Sequence, residues 1–465
     1  MDTKKLRQKI LDLAIHGKLV PQDPNDEPAS VLLERIRAEK ERLIAEGKIK
    51  RSKKSATSDT SHYENVPFEV PEGWCWCSIS DICSKIGSGS TPRGSNYAEH
   101  GIPFFRSQNV YNNGLVYDDI KYISEDVHKS MIGTEVLPKD LLLNITGGSL
   151  GRCAVVPSDF ERGNVSQHVC ILRTVQVLPE YLHCFIISDY FSDTMILSGS
   201  GREGLPKYSL EAMMIPIPPL AEQSRIVSSI VQLITFVNSI EGSITDILQS
   251  VQVAKSKILD LAIHGKLVPQ DPNDEPASEL LKRINPKFVP CDNAHYENVP
   301  SNWALARVED IGQLLSGRDL TNDECNSENI GLPYLIGASN IEGNTFSFIR
   351  WTEKPQVISQ IGDILISCKG TIGAIVKNDI GDIHIARQFM AIRPNTDGIT
   401  SDYLHICMIA VVEEIKKDAR GVIPGIARDN ILTKVFAIPP INEQRRIIAA
   451  INQYHSILDN ISAEL

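Results

Sequence analysis

The chain has 465 residues, which is enough for two or three domains that each bury a core of their own. Apolar residues make up 42% and charged residues 23%, a globular balance that excludes a disordered or fibrous protein. The formal net charge is −11, which excludes nucleic-acid binding through a uniformly basic surface, so any such binding must rest on local features.

Targeting and metal signals are missing from the sequence. No uninterrupted apolar run reaches the roughly 18 residues of a membrane span, and the N-terminal segment has scattered charges instead of a signal-peptide core. We therefore expect a cytoplasmic protein. The ten cysteines include no C-x-x-C pair, and the closest group, Cys75, Cys77 and Cys83, lacks the two tight ligand pairs of a zinc site. We expect reduced thiols and no metal.

An internal duplication organises the chain. The segment KILDLAIHGKLVPQDPNDEPAS occurs at 9–30 and again, unchanged, at 257–278. IPPLAEQSRI at 217–226 likewise matches IPPINEQRRI at 438–447. Between these markers the match is weaker but collinear, and it predicts two diverged globular domains in one repeated frame.

The predicted elements follow in chain order. The N-terminal segment is a helix with an apolar seam at Leu6, Ile10 and Leu13, and residues 31–54 form a charged helix ending in a basic run. Short β-like runs, at 140–145 with 153–156 and at 363–367 with 374–376, alternate with turns in both domains, and each domain ends in a helical stretch. We therefore predict mixed α/β or α+β domains.

A long central helix joins the two domains. Apolar residues recur from Ile226 to Leu261 at alternating spacings of four and three, through Leu233 and Ile258, which is the seam of a coiled coil. The C-terminal segment begins the same pattern at Ile447 and continues it through Leu458.

The repeat offsets place the start of the chain shortly after the point where the C-terminal helix stops. We therefore predict a circularly permuted, pseudo-twofold arrangement, in which the two chain ends together form a second helix antiparallel to the central one. The alternative is that the ends are unrelated, frayed helices.

Catalytic motifs are not found. The sequence has no phosphate-binding G-x-x-x-x-G-K-[ST], no H-E-x-x-H and no G-x-S-x-G. The Gly-rich segments 87–92 and 146–151 lack a phosphate-binding lysine, and we interpret both as turns. His16 and His264 each precede a helix-ending glycine, where a histidine favours the helix dipole. We expect no catalytic residue, although a stand-alone enzyme that uses a Gly-rich loop stays an alternative.

Polar and basic side chains beside the predicted turns are of the types that read base edges. The candidates in the first domain are Arg106, Ser107, Gln108, Asn109, Arg152, Gln167, His168, Arg202, Lys207 and Tyr208. Those in the second are Arg318, Ser339, Asn340, Lys369, Arg387, Gln388 and Arg428. Because acidic residues outnumber basic ones by 18 to 11 over 63–218 and by 19 to 13 over 290–440, each domain alone should bind DNA weakly.

Together these landmarks resemble the specificity subunit of type I restriction-modification systems. The resemblance rests on KLRQKILDLAIHGKLVPQ near the N-terminus, the segments at 216–223 and 437–444, GIP at 101–103 with GLP at 331–333, and the central heptad helix. It covers nearly the whole chain. It implies two target recognition domains, each reading one half of a bipartite DNA site, which should be asymmetric because the domains differ.

The fold class that follows is α+β, with two mixed α/β target recognition domains separated by a long antiparallel two-helix coiled coil. The predicted segments are a conserved N-terminal helix and turn (1–30), a charged helix and linker (31–61), recognition domain 1 (62–218), the central helix (219–284), recognition domain 2 (285–440) and the C-terminal helix (441–465).

The resemblance also implies partners. Helix residues Leu6, Ile10, Leu13, Ile226, Leu233, Ile258, Ile447 and Leu458 belong to the helices expected to bind two methyltransferase subunits, and restriction subunits complete the complex. S-adenosylmethionine, ATP and magnesium are expected on those partners, together with adenine methylation and ATP-dependent cleavage, and this chain itself is expected to be non-catalytic. The alternative is a structural adaptor whose coiled coil joins two protein-binding domains.

Overall fold

The computed structural model describes residues 2–51, 66–92, 94, 97–198, 204–291, 299–343, 345–418 and 425–465. The chain divides into two compact units, Met1–Ser243 and Ile244–Leu465, which we call unit 1 and unit 2. Each unit contains one copy of the predicted globular domain and one pair of helices.

Unit 1 begins with two helices, continues into a strand-rich domain and ends in a long helix. Its helices are α1 (Thr3–Ile15), α2 (Ala29–Ala45), α3 (Ile79–Ile82), α4 (Glu125–Ser130), α5 (Pro179–Ile186), α6 (Asp189–Thr194), α7 (Lys207–Ala212) and α8 (Leu220–Ile263), whose second half belongs to unit 2. Its strands are β1 (Cys75–Ser78), β2 (Cys83–Ser88), β3 (Ile102–Phe105), β4 (Val110–Tyr111), β5 (Gly114–Leu115), β6 (Lys121–Ile123), β7 (Glu135–Val136), β8 (Leu141–Asn144), β9 (Cys153–Val155), β10 (Gly163–Val165), β11 (Val169–Thr174) and β12 (Met214–Ile217).

Two four-stranded sheets form the body of this domain, in the orders β6-β3-β10-β7 and β2-β11-β8-β9. Strands β3 and β10 run parallel, with Val165 opposite Phe105, so their carboxyl ends lie at the same edge. Strand β8 alternates between two apolar cores: Leu142 packs in the core that contains Phe105, whereas Leu141 and Leu143 pack in the core shared with the helices. The two faces of β8 therefore belong to different cores, one between the strands and one shared with the helices.

Unit 2 repeats this architecture. Its helices after α8 are α9 (Ala277–Ile284), α10 (Val308–Ile311), α11 (Ser401–Asp418), α12 (Arg428–Leu432) and α13 (Ile441–Glu464). Its strands are β13 (Ala304–Arg307), β14 (Gly312–Ser316), β15 (Leu332–Leu335), β16 (Ile341–Glu342), β17 (Thr345–Phe346), β18 (Trp351–Thr352), β19 (Ile358–Ser359), β20 (Ile364–Ser367), β21 (Ile375–Lys377), β22 (Ile383–Ile385), β23 (Phe389–Pro394) and β24 (Val435–Ile438).

The sheets of unit 2 have the same strand order, with β18-β15-β22-β19 and β14-β23-β20-β21. Strands β15 and β22 are the parallel pair here, with Ile385 opposite Leu335. In both units an antiparallel pair, β1 with β12 or β13 with β24, joins the start of the domain to its end. The duplication inferred from the sequence is therefore present in the fold.

Each unit contains an antiparallel helix pair. In unit 1, Arg7 of α1 donates to Asn238 of α8 at 2.7 Å and forms an ion pair with Glu241 at 2.6 Å. In unit 2, Lys255 of α8 forms an ion pair with Asp459 of α13 at 2.5 Å. The N-terminal helix thus packs on the first half of α8, and the C-terminal helix packs on the second half.

The predicted heptad register is only partly correct. Ile226, Ile230 and Val237 are buried as expected, but Leu233 is 37% exposed, and the adjacent Ile234 packs against the core in its place. The reason is that the first turns of α8 pack against the domain with the 3.6-residue period of a straight helix, so positions four apart share a face. The same correction applies to Leu6 of α1, which is 36% exposed.

A buried glutamate fixes the start of each long helix to its domain. Glu222 of α8 accepts hydrogen bonds from the Trp74 indole at 2.9 Å and from Gln22 at 2.7 Å. In unit 2, Glu443 of α13 accepts from Trp303 at 3.0 Å and from Gln270 at 2.7 Å. We call these two clusters the helix joints.

The adjacent glutamine completes each joint. Gln223 accepts from the backbone N–H of Leu178 at 3.0 Å, and Gln444 accepts from that of Thr400 at 2.8 Å. Both glutamines are fully buried. The repeated Glu-Gln pair therefore fixes the helix to the globular domain, a role that the sequence repeat alone did not reveal.

The charged helix after the first Pro-rich turn is shorter than predicted. α2 ends at Ala45, and Gly47 has a left-handed backbone with φ of 70° that stops it before the basic run. Arg51 pairs with Glu41 at 2.6 Å, and the rest of the basic run, 52–54, lies outside the described residues.

α8 is long and apolar enough to cross a membrane, judged on length and composition alone, among the helices in the described part of the chain. Its first half packs against α1 and its second half against α13, and each contact includes an ion pair. Such pairing is typical of amphipathic helices that pack on each other in water.

Candidate nucleic-acid interface

Loops at the carboxyl ends of the parallel strands in unit 2 bring most of its predicted residues together. Arg318 follows β14, and its backbone N–H donates to the Ile385 carbonyl at the end of β22 at 3.0 Å. The backbone N–H of Cys368, beside Lys369, donates to the Gln388 carbonyl at 2.6 Å. Residues 317–318, 336–339, 368–370, 386–388 and 425–428 thus form one surface, which we call the loop edge of unit 2.

Arg428 joins the same edge from the start of α12. The backbone N–H of Ile426 donates to the Cys368 carbonyl at 3.0 Å, which places the helix start against β20. The Arg428 guanidinium then donates to the Ser316 hydroxyl at 2.6 Å and to the Leu314 carbonyl at 3.1 Å. The side chains of Arg318, Ser339, Lys369, Arg387 and Arg428 are exposed on this edge, and that of Gln388 is half-buried.

The loop edge of unit 1 has the same backbone framework. Ser90 donates from its N–H to the Val165 carbonyl at 3.1 Å, and Ile145 donates to the His168 carbonyl at 3.0 Å. The N–H of Leu205 in turn donates to the Ile145 carbonyl at 2.9 Å. This edge comprises residues 89–90, 106–108, 145–147, 166–168 and 204–208.

A close backbone approach explains one glycine in each framework. A Cβ atom on Gly89 would lie 1.9 Å from the Val165 carbonyl oxygen, and one on Gly317 would lie 2.0 Å from that of Ala386. Only glycine lets the chain pass there. The segment 87–92, interpreted from sequence as a turn, thus owes Gly89 to this crossing, whereas Gly147 and Gly151 of segment 146–151 have positive φ as turn residues do.

Acidic residues orient several of the exposed groups. Asp119 accepts from Gln108 at 3.0 Å and from the Arg106 guanidinium at 3.2 Å. These hydrogen bonds hold the pKa of Asp119 below its ordinary value, so that it stays charged. In unit 2, Asp319 forms an ion pair with Arg387 at 2.5 Å. Lys207 pairs with Glu211 at 3.4 Å, whereas Ser107 is half-buried and Tyr208 is 67% exposed.

Asn109 and Asn340 have a different role from the predicted base contact. Asn109 is fully buried, and its side chain accepts from the N–H of Arg106 at 3.1 Å and donates to the Val116 carbonyl at 3.0 Å. Asn340 is 8% exposed and binds Gly337 and Ser347 in the same way. Both amides are used in closing the loop after the parallel strand, which leaves them unavailable to a base.

Two further candidates of unit 1, Arg152 and Arg202, are not placed on its loop edge. Arg152 stacks over the Tyr111 ring at 4.8 Å and lines a groove of about 730 Å³ between the domain and helices α1 and α8. It therefore faces the helices, because the turn at Gly151 directs the chain away from the edge. Arg202 lies outside the described residues.

Ser90 and Thr146 belong to the loop edge but were missed as candidates. Thr146 shares a hydrogen bond of 2.7 Å with the His168 ring. The internal repeat held the signal for Ser90, because Gly89-Ser90 aligns with Gly317-Arg318. The equivalence of Thr146 with Lys369 is visible only in the backbone hydrogen bonds of Ile145 and Cys368.

The eight residues chosen to mark the predicted partner-binding helices differ in burial within their own unit. Ile10, Ile226 and Ile447 are at most 5% exposed, and Leu13, Ile258 and Leu458 are half-buried in the helix pairs. These six side chains contribute to packing within the units, whereas Leu6 and Leu233 are exposed. Among the described residues, the exposed large apolar side chains of α8 and α13 are Leu220, Val231, Leu233, Phe236, Ile247, Leu248, Val253, Tyr454, Ile457 and Ile461.

The fold and the loop edges define a class of protein with two copies of one binding domain, each fixed to a long helix. The model for the type I restriction modification DNA specificity domain matches residues 71–249 and 300–465. The chain therefore belongs to the family of type I restriction-modification specificity subunits, whose function is recognition of a DNA sequence.

Individual relatives agree with this assignment. The chain is 26% identical to the EcoEI specificity subunit of Escherichia coli, over 99% of this chain and 90% of the relative. It is 28% identical to the EcoAI specificity subunit of Escherichia coli, over 97% and 88%.

Solved structures share the fold. The HsdS subunit from Thermoanaerobacter tengcongensis superposes with a TM-score of 0.57 at 19% identity, covering 86% of this chain and 93% of that one. A chain from a structure on complex assembly and conformational transition of the type I R-M system gives 0.60 at 18% identity, covering 86% and 94%. The family match confirms the resemblance inferred from the sequence and favours a specificity subunit over a structural adaptor.

Proposed function

We propose that each unit reads one half of a bipartite, asymmetric DNA site through its loop edge. The observation that carries this proposal is that the two edges share one backbone framework but present different side chains. Ser90, Thr146 and Gln167 of unit 1 occupy the positions of Arg318, Lys369 and Arg387 in unit 2. Because side-chain chemistry selects the base, the two half-sites differ in sequence.

The local charge of the unit 2 loop edge supports DNA as the ligand of an acidic protein. Arg318 and Lys369 are exposed, and no ion pair joins either to a carboxylate among the described residues. Cations concentrated on one edge contact phosphates even where the rest of the domain is acidic.

We further propose that α1, α8 and α13 form an antiparallel coiled coil that sets the half-site spacing and binds two methyltransferase subunits. The antiparallel pairing inside each unit and the helix joints support this arrangement. The exposed Phe236 and Ile457 support the partner surface, since large apolar side chains exposed on a helix favour burial against another protein. The circular permutation and the pseudo-twofold relationship belong to the same proposal.

Catalysis in the complex is assigned to the partners. Adenine methylation with S-adenosylmethionine, and cleavage with ATP and magnesium, would be carried by the methyltransferase and restriction subunits in the cytoplasm. The role of this chain is to recognise the DNA sequence.

The proposal is tested by selecting bound duplexes from a randomised DNA pool with the complex of this chain and its modification subunits. The variants are Ser339→Ala with Gln388→Ala in unit 2, and Ser90→Ala with His168→Ala in unit 1. We expect one asymmetric bipartite sequence for the wild type, and relaxed preference in one half only for each variant. Enrichment of no sequence by the wild-type complex, or relaxation of both halves by one variant, would overturn the proposal.

A further inference from the structure

The two loop edges differ sharply in charge at equivalent positions. Five positions are matched by the repeated backbone hydrogen bonds. Unit 1 places Ser90, Arg106, Thr146, Gln167 and Lys207 where unit 2 has Arg318, Gly337, Lys369, Arg387 and Arg428. Two cations in unit 1 therefore correspond to four cations in unit 2.

The hydrogen bonds make this match firm. Ser90 and Arg318 each donate to the last carbonyl of the parallel strand, Val165 or Ile385, at 3.1 and 3.0 Å. The bonds from Ile145 to His168 and from Cys368 to Gln388 then align Thr146 with Lys369 and Gln167 with Arg387.

Neighbouring charges do not remove the difference. In unit 1, Glu211 pairs with Lys207, and Asp119 pairs with Arg106. In unit 2, Asp319 pairs with Arg387, and Asp429 is adjacent to Arg428 in sequence. Among the described residues, two basic and two acidic side chains thus balance at the unit 1 edge, whereas four basic side chains face two acidic ones at the unit 2 edge.

Resting on the proposed function, we infer that unit 2 holds the phosphate backbone, whereas unit 1 reads its half-site chiefly through neutral hydrogen-bonding groups. Phosphate contacts release counterions, so each one steepens the fall of affinity with salt by about 0.9 in logarithmic slope. Hydrogen bonds from serine, threonine or glutamine release none. The salt dependence of DNA binding therefore comes mainly from unit 2.

The test measures the affinity of the full chain for a fluorescein-labelled duplex of random sequence by anisotropy, between about 50 and 200 mM salt. The first variant carries Arg318→Ala and Lys369→Ala. Its matched control carries Ser90→Ala and Thr146→Ala at the equivalent positions of unit 1. A third variant, Ser90→Arg with Thr146→Lys, transfers the unit 2 charges to unit 1 at exposed or half-exposed positions.

We expect the first variant to lose about 1.8 from the logarithmic salt slope, which removes about tenfold of the affinity change over this range. The control keeps the wild-type slope, and the charge-transfer variant gains about the same amount. Equal losses in the first two variants, an unchanged slope in the first, or no binding by the wild type at the lowest salt would overturn the inference. The charge-transfer variant gives an answer even if the alanine variant does not fold.

The salt-dependence experiment tests the inference separately from the proposed function. Because the probe has random sequence, the slope reports phosphate contacts and not base selection. If an asymmetric site is selected but the unit 1 and unit 2 alanine variants have equal salt slopes, the inference is wrong and the proposed function stands. If the two slopes differ but no site is selected, the proposed function is wrong and the difference in phosphate contacts stands.

Discussion

The indole Nε1 of Trp74 donates a 2.9 Å hydrogen bond to the carboxylate of Glu222, and both side chains are almost completely buried. Trp303 and Glu443 form the same bond at 3.0 Å in unit 2. A carboxylate buried at the first turn of a long helix fixes the direction in which the helix leaves its domain. We conclude that the helix joints fix each long helix to its own globular domain.

Glu222→Ala is expected to lower the free energy of unfolding of unit 1 by about 1–3 kcal/mol, because it leaves the buried indole N–H of Trp74 without an acceptor. Chemical denaturation of the full chain measures the change. Glu222→Gln keeps one acceptor and should cost less. Equal stability of the alanine variant and the wild type would show that the joint does not hold the helix.

The pH dependence of stability is expected to change in the double variant Glu222→Gln with Glu443→Gln. Burial raises the pKa of both glutamates above the ordinary 4.5, against the opposing effect of their hydrogen bonds from glutamine and tryptophan. A raised pKa in the folded state means that the folded protein binds the proton more tightly than the unfolded chain, so stability falls as pH rises through that range. Relative to the double variant, the wild type should therefore lose stability between pH 4.5 and neutrality. Denaturation at a series of pH values tests this, and parallel curves would contradict it.

Gly89→Ala is expected to destabilise unit 1 by about 1–3 kcal/mol, because its Cβ would lie 1.9 Å from the Val165 carbonyl oxygen. Gly87→Ala is the matched control, since nothing lies within 4 Å of a Cβ added there. Thermal unfolding of both variants provides the comparison. Similar melting temperatures for the two variants would mean that the backbone at Gly89 and Val165 moves apart at little energetic cost.

Asn340→Ala is expected to weaken DNA binding without changing which sequence is preferred. The amide closes the loop on Gly337 and Ser347, and its loss loosens the exposed part of the loop. Selection from a randomised pool and a direct affinity measurement separate the two effects. A new preference at one base position would instead show that Asn340 contacts that base.

Phe236→Ser is expected to leave folding intact and to weaken assembly with the modification subunits at least tenfold, because 64% of this side chain is exposed on α8. Gln232→Ser, on an exposed polar residue of the same helix, serves as the control. Co-purification and calorimetric titration measure the assembly. Undiminished binding by the Phe236 variant would remove this part of α8 from the partner surface.

Local pattern was enough to predict the duplication, the central helix and several strands. The predicted strand at 140–145 corresponds to β8 and that at 153–156 to β9, because a short continuous apolar run bounded by turns is typical of a buried strand. The predicted helical stretches near 179–197 and 400–417 are also present, the first as α5 and α6 with a break at Ile187–Ser188 and the second as α11.

The burial and orientation of several side chains depend on tertiary contacts, which the sequence pattern does not show. Asn109 has the same local signature as an exposed loop asparagine, and only the fold of the following strands around its amide makes it buried. Leu233 and Ile234 are equally apolar neighbours, and the packing of α8 on its domain selects Ile234. Arg152 is directed to the helices by a turn whose orientation depends on the sheet.

Mapping methylated adenines in the DNA of cells that express this chain with its modification subunits tests the central claim most directly. Because the two loop edges share a backbone framework but carry different side chains, we expect a single asymmetric motif with two half-sites at a fixed separation. The double variant Ser339→Ala with Gln388→Ala should alter only one of these half-sites. A palindromic motif, a continuous motif, or methylation without sequence preference would contradict it.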